Sequence, residues 1–119
     1  MKKNFAVIGY GGQGGWHTRQ ILASDVAALT GIYDIDPKKA ELAEKNGIHA
    51  YASYDEVLAD TAVDAVVIAV PNDCHKELVI KALSKGKNVI CEKPVEMSVA
   101  ALDEMIAAAD KSGKFFTVH

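Results

Sequence analysis

A glycine-rich turn immediately after the first apolar run is the feature that most restricts how this chain folds. Residues 9–14 match the pattern G-x-G-x-x-G, follow the apolar run 5–8 and precede a segment with helical spacing. At such a junction the first glycine permits a tight turn, the second lets phosphates approach the backbone, and the third lets the helix pack closely on the strand. The motif therefore predicts a site for the pyrophosphate of a dinucleotide. The residues of this turn that we expect to form the cofactor site are Gly9, Gly11, Gly12, Gln13 and Gly14.

Short apolar runs alternate with helix-spaced segments along the whole chain. A near-continuous apolar run such as 64–70 is typical of a parallel strand that is covered on both faces. The alternation predicts an α/β fold with a doubly wound parallel sheet of about six strands, the Rossmann arrangement. The length of 119 residues corresponds to one dinucleotide-binding domain, residues 1–119. The expected strands cover residues 5–8, 27–34, 50–51, 64–70, 88–91 and 115–118.

Several helix boundaries are also marked in the sequence. Asp36 before Pro37 predicts a helix start, because an aspartate caps the free N–H groups and proline suits the first helical position. Asn46 and Gly47 predict the end of that helix. Residues 53–56 form a capping box that opens the next one.

An acidic residue at the end of the second expected strand indicates which cofactor binds. Asp34 lies twenty residues beyond the glycine motif, where a carboxylate accepts hydrogen bonds from the ribose hydroxyls of NAD and repels the 2′-phosphate of NADP. We expect its neighbour Ile35 to contact the cofactor as well. Arg19, the single arginine, belongs to the first helix. Lys38 and Lys39 are near enough in sequence to weaken the repulsion, but the favoured interpretation is that they are surface charges, which contribute little. The sequence therefore predicts NAD, with NADP the less favoured cofactor.

The composition excludes several classes of protein. A net charge of −3 offers no basic face for nucleic acid. The basic N-terminus lacks the apolar core of a signal peptide, and no stretch reaches the roughly 18 apolar residues of a membrane span. Cys74 and Cys91 have neither metal-ligand spacing nor the density of a disulfide scaffold. We therefore expect reduced thiols, no metal site and a cytoplasmic protein.

Two further polar clusters follow the fourth and fifth expected strands. Because ligands of open α/β sheets bind outside the carboxyl ends of the strands, we expect both clusters to face the cofactor. The alternative interpretation is that His75 is a buried helix-start residue and that Glu92 and Lys93 are surface charges on a loop. The residues expected to contact the cofactor are Val70, Pro71, Asn72, His75, Glu92 and Lys93.

Four motifs together resemble the N-terminal domain of the glucose–fructose oxidoreductase, inositol dehydrogenase and rhizopine-catabolism (Gfo/Idh/MocA) family. They are G-x-G-x-x-G-x-x-H ending at His17, Asp34 with Asp36-Pro37, Ala69-Val70-Pro71-Asn72 with His75, and Val89-Ile90-Cys91-Glu92-Lys93-Pro94 before a helix at Ser98. The Glu-Lys-Pro step is the most specific of the four. The motifs are spread over the whole length of the chain.

The resemblance implies an NAD-dependent dehydrogenase that acts on a CH–OH group of a sugar, cyclitol or related polyol. It implies Lys93 as an active-site residue, which would donate a hydrogen bond to the substrate oxygen that gains or loses a proton. Glu92 would orient Lys93 or line the nicotinamide pocket. A cis bond before Pro94 would aim Lys93 inward.

Two residues depart from the pattern of the family. Gln13 stands where the family often has an apolar residue, and Gly15 adds a second glycine to the first helical turn, which costs about 1 kcal/mol against alanine. In the family, the Asp and His that complete catalysis belong to a C-terminal domain. Because this chain ends at an expected strand, we expect that domain to be absent.

The missing domain has a consequence for activity. We expect the isolated chain to bind NAD without turnover, and the full-length parent to form a homo-oligomer. Two other classes stay open at this point: a non-catalytic NAD-binding module with a redox-sensing or regulatory role, and a structural domain that has lost its cofactor.

Overall fold

The computed structural model of the chain describes residues 3–70, 75–92 and 99–118, without the side chains of Gln13, His75 and Val118. The strands are β1 (Lys3–Ile8), β2 (Ala27–Tyr33), β3 (Ala65–Ile68), β4 (Asn88–Cys91) and β5 (Phe116–Val118). The helices are α1 (Gly12–Leu22), α2 (Pro37–Lys45), α3 (Tyr54–Ala59), α4 (His75–Ser84) and α5 (Val99–Ser112).

The strands form one parallel sheet in the order β2-β1-β3-β4-β5. The expected strand at 50–51 is wrong, because Ala50 forms only an isolated bridge with Ile32. Two backbone bonds make this bridge: Ile32 donates to His49, and Tyr51 donates to Ile32. The pairing stops after Tyr51 because Ser53, two residues further on, already caps α3. The described residues therefore contain five strands, and the bridge lies at the outer edge of β2.

Helices cover both faces of the sheet, as the apolar alternation predicts. On β1, Ala6 and Ile8 join the core beneath α3, α4 and α5, whereas Val7 joins the core beneath α1 and α2. The same alternation continues on β3, where Val66 and Ile68 lie with the first core and Val67 with the second. This period of two follows from the pleat of an extended strand. The doubly wound Rossmann-type arrangement is confirmed.

The marked helix boundaries are confirmed as well. The Asp36 side chain accepts a hydrogen bond from the Lys38 N–H at 2.9 Å, and α2 begins at the proline between them. The Ser53 hydroxyl accepts a bond from the Glu56 N–H at 3.0 Å and so caps α3. Gly47 follows α2 with a φ of +76°, a left-handed conformation that glycine adopts without strain.

The connections converge on the carboxyl edge of the sheet between β1 and β3. From β1 the chain crosses to β2 on one side, and from β3 it crosses to β4 on the other. Backbone bonds extend the pairing by one residue at this edge, from Gly9 to Tyr33, from Ala69 to Ile8 and from Glu92 to Ile68. Ligands of open α/β sheets bind outside the carboxyl ends of the strands at the point where the strand order reverses, which here lies between β1 and β3.

Candidate cofactor site

Two glycines of the turn after β1 are required by packing. A Cβ on Gly9, whose φ is +96°, would lie 2.7 Å from the Ala69 carbonyl oxygen. A Cβ on Gly14 would lie 1.7 Å from the carbonyl oxygen of Gly9. The Thr18 hydroxyl, one turn further along α1, donates to the Gly14 carbonyl at 2.8 Å. These contacts hold the first turn of α1 against the end of β1.

The other two glycines of the turn have no packing role. A Cβ on Gly11 or Gly12 would meet nothing within 4 Å, and both residues are exposed. Gly11 caps α1 and, as a glycine, has no side chain that could accept from the N–H groups at this helix start. The first N–H groups of a helix lack intrahelical partners and carry the positive end of its dipole. The backbone here is thus open to a phosphate group, and the cradle fits a pyrophosphate.

Asp34 lies beside this cradle with its carboxylate held by the backbone. The Tyr10 N–H donates to Oδ2 at 2.8 Å, and the Asp36 N–H donates to Oδ1 at 2.8 Å. Each carboxylate oxygen accepts through more than one lone pair, so both keep the capacity to accept from a ribose hydroxyl. The Ile35 side chain next to it is 88 % exposed, which leaves an apolar surface for a ligand beside the carboxylate.

The two lysines that follow do not neutralise Asp34. Within residues 3–70, 75–92 and 99–118, no ion pair joins Asp34 to Lys38 or Lys39. The Asp34 carboxylate at the end of β2 is therefore stabilised by its two backbone hydrogen bonds and not by these lysines.

The structure reveals one site residue that the sequence did not assign. His17 on α1 lies with its Nε2 2.9 Å from Glu92 Oε2, at the end of β4. Their side chains are 11 % and 15 % exposed. The ring of Trp16 meets the His17 ring edge-on at 4.9 Å between centroids. The available signal was the histidine three residues after the glycine motif, which by itself does not identify a partner 75 residues away.

Part of the predicted site lies outside the described residues. Pro71, Asn72, Lys93 and the proposed cis bond at Pro94 belong to this part, and they stay predictions. His75 begins α4, but its side chain is not described, and the same holds for the side chain of Gln13. Val70 lies two residues after the end of β3, is half-buried and packs against the core under α4, at the edge where we expect the ligand.

The cysteine beside Glu92 is a buried thiol. Burial, together with the neighbouring Glu92 carboxylate, raises the pKa of the Cys91 thiol to about 12. The side chain is buried in the core, so the nucleophilic thiolate is not formed near neutral pH. In the described part of the chain, no cluster of acidic, histidine or cysteine side chains could hold a metal ion. No helix there is long and apolar enough to cross a membrane.

A dinucleotide-binding domain is defined by a glycine cradle at a helix start, an anchored carboxylate after β2 and a reversal of strand order between β1 and β3. Comparison with known proteins gives the family. Residues 3–119 match the Gfo/Idh/MocA model, described as an oxidoreductase family with an NAD-binding Rossmann fold. The chain belongs to this family and forms its NAD-binding domain.

Relatives and solved structures agree with this assignment. Scyllo-inositol 2-dehydrogenase (NADP(+)) of Bacillus subtilis is 38 % identical over 115 residues, covering 92 % of this chain. An NAD-binding protein from Listeria innocua superposes over 100 % of the chain with a TM-score of 0.95 and 45 % identity. GenD2 from gentamicin A biosynthesis, solved in complex with NAD, covers 98 % of it with a TM-score of 0.90 and 30 % identity.

The match covers only part of each of these proteins. The chain spans 34 % of the Bacillus enzyme, 35 % of the Listeria protein and 34 % of GenD2. The shared part is therefore the cofactor-binding domain, and about two thirds of each relative lies outside the match.

Proposed function

We propose that this chain is the cofactor half of a dehydrogenase that oxidises a CH–OH group of a sugar, cyclitol or related polyol, with NAD preferred over NADP. The observation that carries the proposal is the open backbone of Gly11 and Gly12 beside the anchored carboxylate of Asp34. When bound, NAD supplies the hydride acceptor. The first turn of α1 would hold the pyrophosphate, and Asp34 would accept hydrogen bonds from the adenosine ribose.

The preference for NAD rests on the charge and the hydrogen bonding at the end of β2. A 2′-phosphate would meet the Asp34 carboxylate, which is not neutralised by Lys38 or Lys39 in the described residues. The repulsion is strong because two backbone donors hold the carboxylate in place, so it does not turn away without losing both bonds. The Bacillus relative is NADP-dependent by name. The proposed preference for NAD is therefore argued from the residues of this chain and not from its relatives.

Calorimetric titration of the chain with NAD and NADP tests this preference. We expect NAD to bind at least about tenfold more tightly, since charge-assisted hydrogen bonds contribute about 1.5–3 kcal/mol each. Asp34→Ala should weaken NAD binding and narrow the difference between the two cofactors. Asp25→Ala, which removes an exposed carboxylate in the α1–β2 turn, is the matched control and should change neither affinity. Equal affinities for NAD and NADP in the parent chain would contradict the preference.

Lys93 is proposed as the residue that donates a hydrogen bond to the substrate oxygen. In the full-length protein, Lys93→Ala should abolish turnover of the polyol while the affinity for NAD stays within about twofold of the parent, because the lysine acts in the chemical step. A redox-sensing or regulatory module would respond to NAD equally well with or without this lysine.

The remaining two thirds of the enzyme are needed for the reaction. Hydride transfer requires the substrate to be held against the nicotinamide in a site that excludes water, and one Rossmann domain supplies half of such a site. We therefore expect the isolated chain to bind NAD without measurable polyol oxidation. Robust turnover by the isolated chain would contradict this division of labour.

We also propose a cytoplasmic, homo-oligomeric parent enzyme that binds neither nucleic acid nor membranes. The composition of this chain, with a net charge of −3 and two cysteines without disulfide spacing, supports the compartment and the absence of nucleic acid. The homo-oligomeric state is proposed from the resemblance to the family alone. Size-exclusion chromatography of the full-length enzyme, with light scattering, measures its oligomeric state.

A further inference from the structure

The hydrogen bond between His17 and Glu92 joins two parts of the cofactor site that are distant in sequence. The 2.9 Å contact links α1, which begins at the open glycines, to the end of β4, which leads into the Glu-Lys-Pro step. Both side chains are largely buried, at 11 % and 15 % exposure. A carboxylate only accepts hydrogen bonds, so His17 Nε2 carries the proton in this pair.

Each end of this link is fixed to the sheet. His17 lies three residues after Gly14, whose close approach to Gly9 presses the first turn of α1 onto β1. The Glu92 N–H donates to the Ile68 carbonyl at 2.8 Å, which continues the β3–β4 pairing by one residue. The Glu92 side chain is thus held, through His17, by the same helix whose first turn would receive the pyrophosphate.

Stability does not explain why a polar pair lies here. Removing a carboxylate from water is costly unless it is paired, and a buried ion pair replaced by apolar side chains of similar size is often neutral or stabilising. A histidine and a glutamate at these two positions therefore point to a role in the site.

We propose that His17 is a positioning residue: it holds the Glu92 carboxylate against α1 and so couples binding of the pyrophosphate to the position of Glu92 at the end of β4. The inference rests on the proposed cofactor function. An anion at the first turn of α1 attracts and orders the N–H groups of that turn. Because His17 belongs to the same helix, the adjustment reaches Glu92 through one hydrogen bond.

Nuclear magnetic resonance of the ¹⁵N-labelled chain with ADP tests this coupling without any turnover. ADP carries the diphosphate and the adenosine but lacks the nicotinamide, so it occupies the glycine turn without the part of NAD that reacts. We expect saturating ADP to shift the amide signals of Gly11 and Gly12 directly, and the amide signal of Glu92 through His17. In His17→Leu the glycine signals should still shift, and the Glu92 shift should be lost.

A conservative variant separates positioning from general destabilisation. His17→Gln keeps an N–H donor at a reach similar to Nε2, and it should restore most of the Glu92 shift. Ile21→Val, one turn further along α1, removes buried volume without touching the pair and should leave the coupling intact. Glu92→Met removes the acceptor instead, and it should abolish the ADP-induced shift at residue 92 even if His17→Leu does not fold.

The outcomes distinguish the two levels of the proposal. If ADP shifts neither the glycine nor the Glu92 signals in the parent, the cofactor function is wrong, and the coupling is wrong with it. If the glycine signals shift but the Glu92 signal does not, or if His17→Leu transmits the shift as well as the parent, only the positioning role of His17 is wrong.

Discussion

At the scale of single residues, a buried lysine stabilises the edge of the sheet opposite the cofactor site. Lys87, directly before β4, is 7 % exposed, and its ammonium donates to the carbonyls of Asp60 at 2.8 Å and Val63 at 2.7 Å. We predict that Lys87→Met lowers the free energy of unfolding by about 2–3 kcal/mol, because it leaves two carbonyls without this donor while it keeps the apolar stem. Urea unfolding followed by circular dichroism measures the change.

The neighbouring Lys85 provides the matched control. It is exposed at the end of the same turn, so Lys85→Met should change the unfolding free energy by no more than about 0.5 kcal/mol. Equal effects of the two substitutions would show that the Lys87 hydrogen bonds do not stabilise the fold.

At the scale of elements, the contact between α1 and β1 depends on one glycine. A Cβ on Gly14 would lie 1.7 Å from the Gly9 carbonyl oxygen, which is backbone and does not yield, so Gly14→Ala forces the helix away from the strand. We predict a loss of about 3 kcal/mol in unfolding free energy, at the upper end of overpacking costs, together with weakened NAD binding. Chemical denaturation and calorimetry measure the two effects.

The adjacent glycine should respond in the opposite direction. A Cβ on Gly15 would meet only the end of the flexible Arg19 side chain at 3.4 Å. Because alanine loses less backbone entropy than glycine within a helix, Gly15→Ala should raise the unfolding free energy by about 0.5–1 kcal/mol. A destabilised Gly15→Ala variant would contradict the packing described for α1.

At the scale of the whole molecule, buried thiol and phenol groups of the core lower the free energy of unfolding at high pH. Burial raises the pKa of Cys91 to about 12 and that of Tyr54 well above its usual value. The unfolded chain loses these protons from about pH 8.5 to 10, whereas the folded chain retains them. The contribution of these groups to the free energy of unfolding is therefore fully present below about pH 8.5. As the pH rises further, the free energy of unfolding falls by up to about 1.4 kcal/mol per pH unit for each group.

Urea unfolding between pH 7 and pH 11 measures this loss. Tyr54→Phe removes one of these groups, so its unfolding free energy should fall less steeply with pH, although it also loses the 2.6 Å bond from the phenol to the Leu78 carbonyl. An unfolding free energy that does not change over this range would contradict the prediction.

Much of the fold could be predicted because its signals are local. The proline after Asp36, the glycine at 47 and the serine at 53 act on backbone within a few residues, and each boundary is confirmed. The expected strand at 50–51 was wrong for a reason that is not local. Whether an extended segment pairs depends on the length of free backbone opposite it, and here only Ile32 is paired before α3 begins.

For the candidate site, the sequence predicted the glycine turn and the carboxylate after β2, whereas the residues expected after β3 and β4 stay predictions. Gly11 and Gly12 were expected at the phosphates, and the structure leaves both open, whereas Gly9 and Gly14 serve packing as expected. The two backbone donors to Asp34 were not predictable, because they depend on how the turn after β1 lies against the end of β2.

By itself, the sequence determined the alternation of strands and helices along the chain. It also determined the glycine turn and the acidic residue after β2, since each depends on spacing within one βα unit. Only the tertiary structure decided that His17 lies against Glu92 and that the Lys87 ammonium reaches two carbonyls of another loop. The physical reason is that partners 75 and 24–27 residues apart meet only after the crossovers bring β1, β3 and β4 side by side. Local patterns carry no information about those distances.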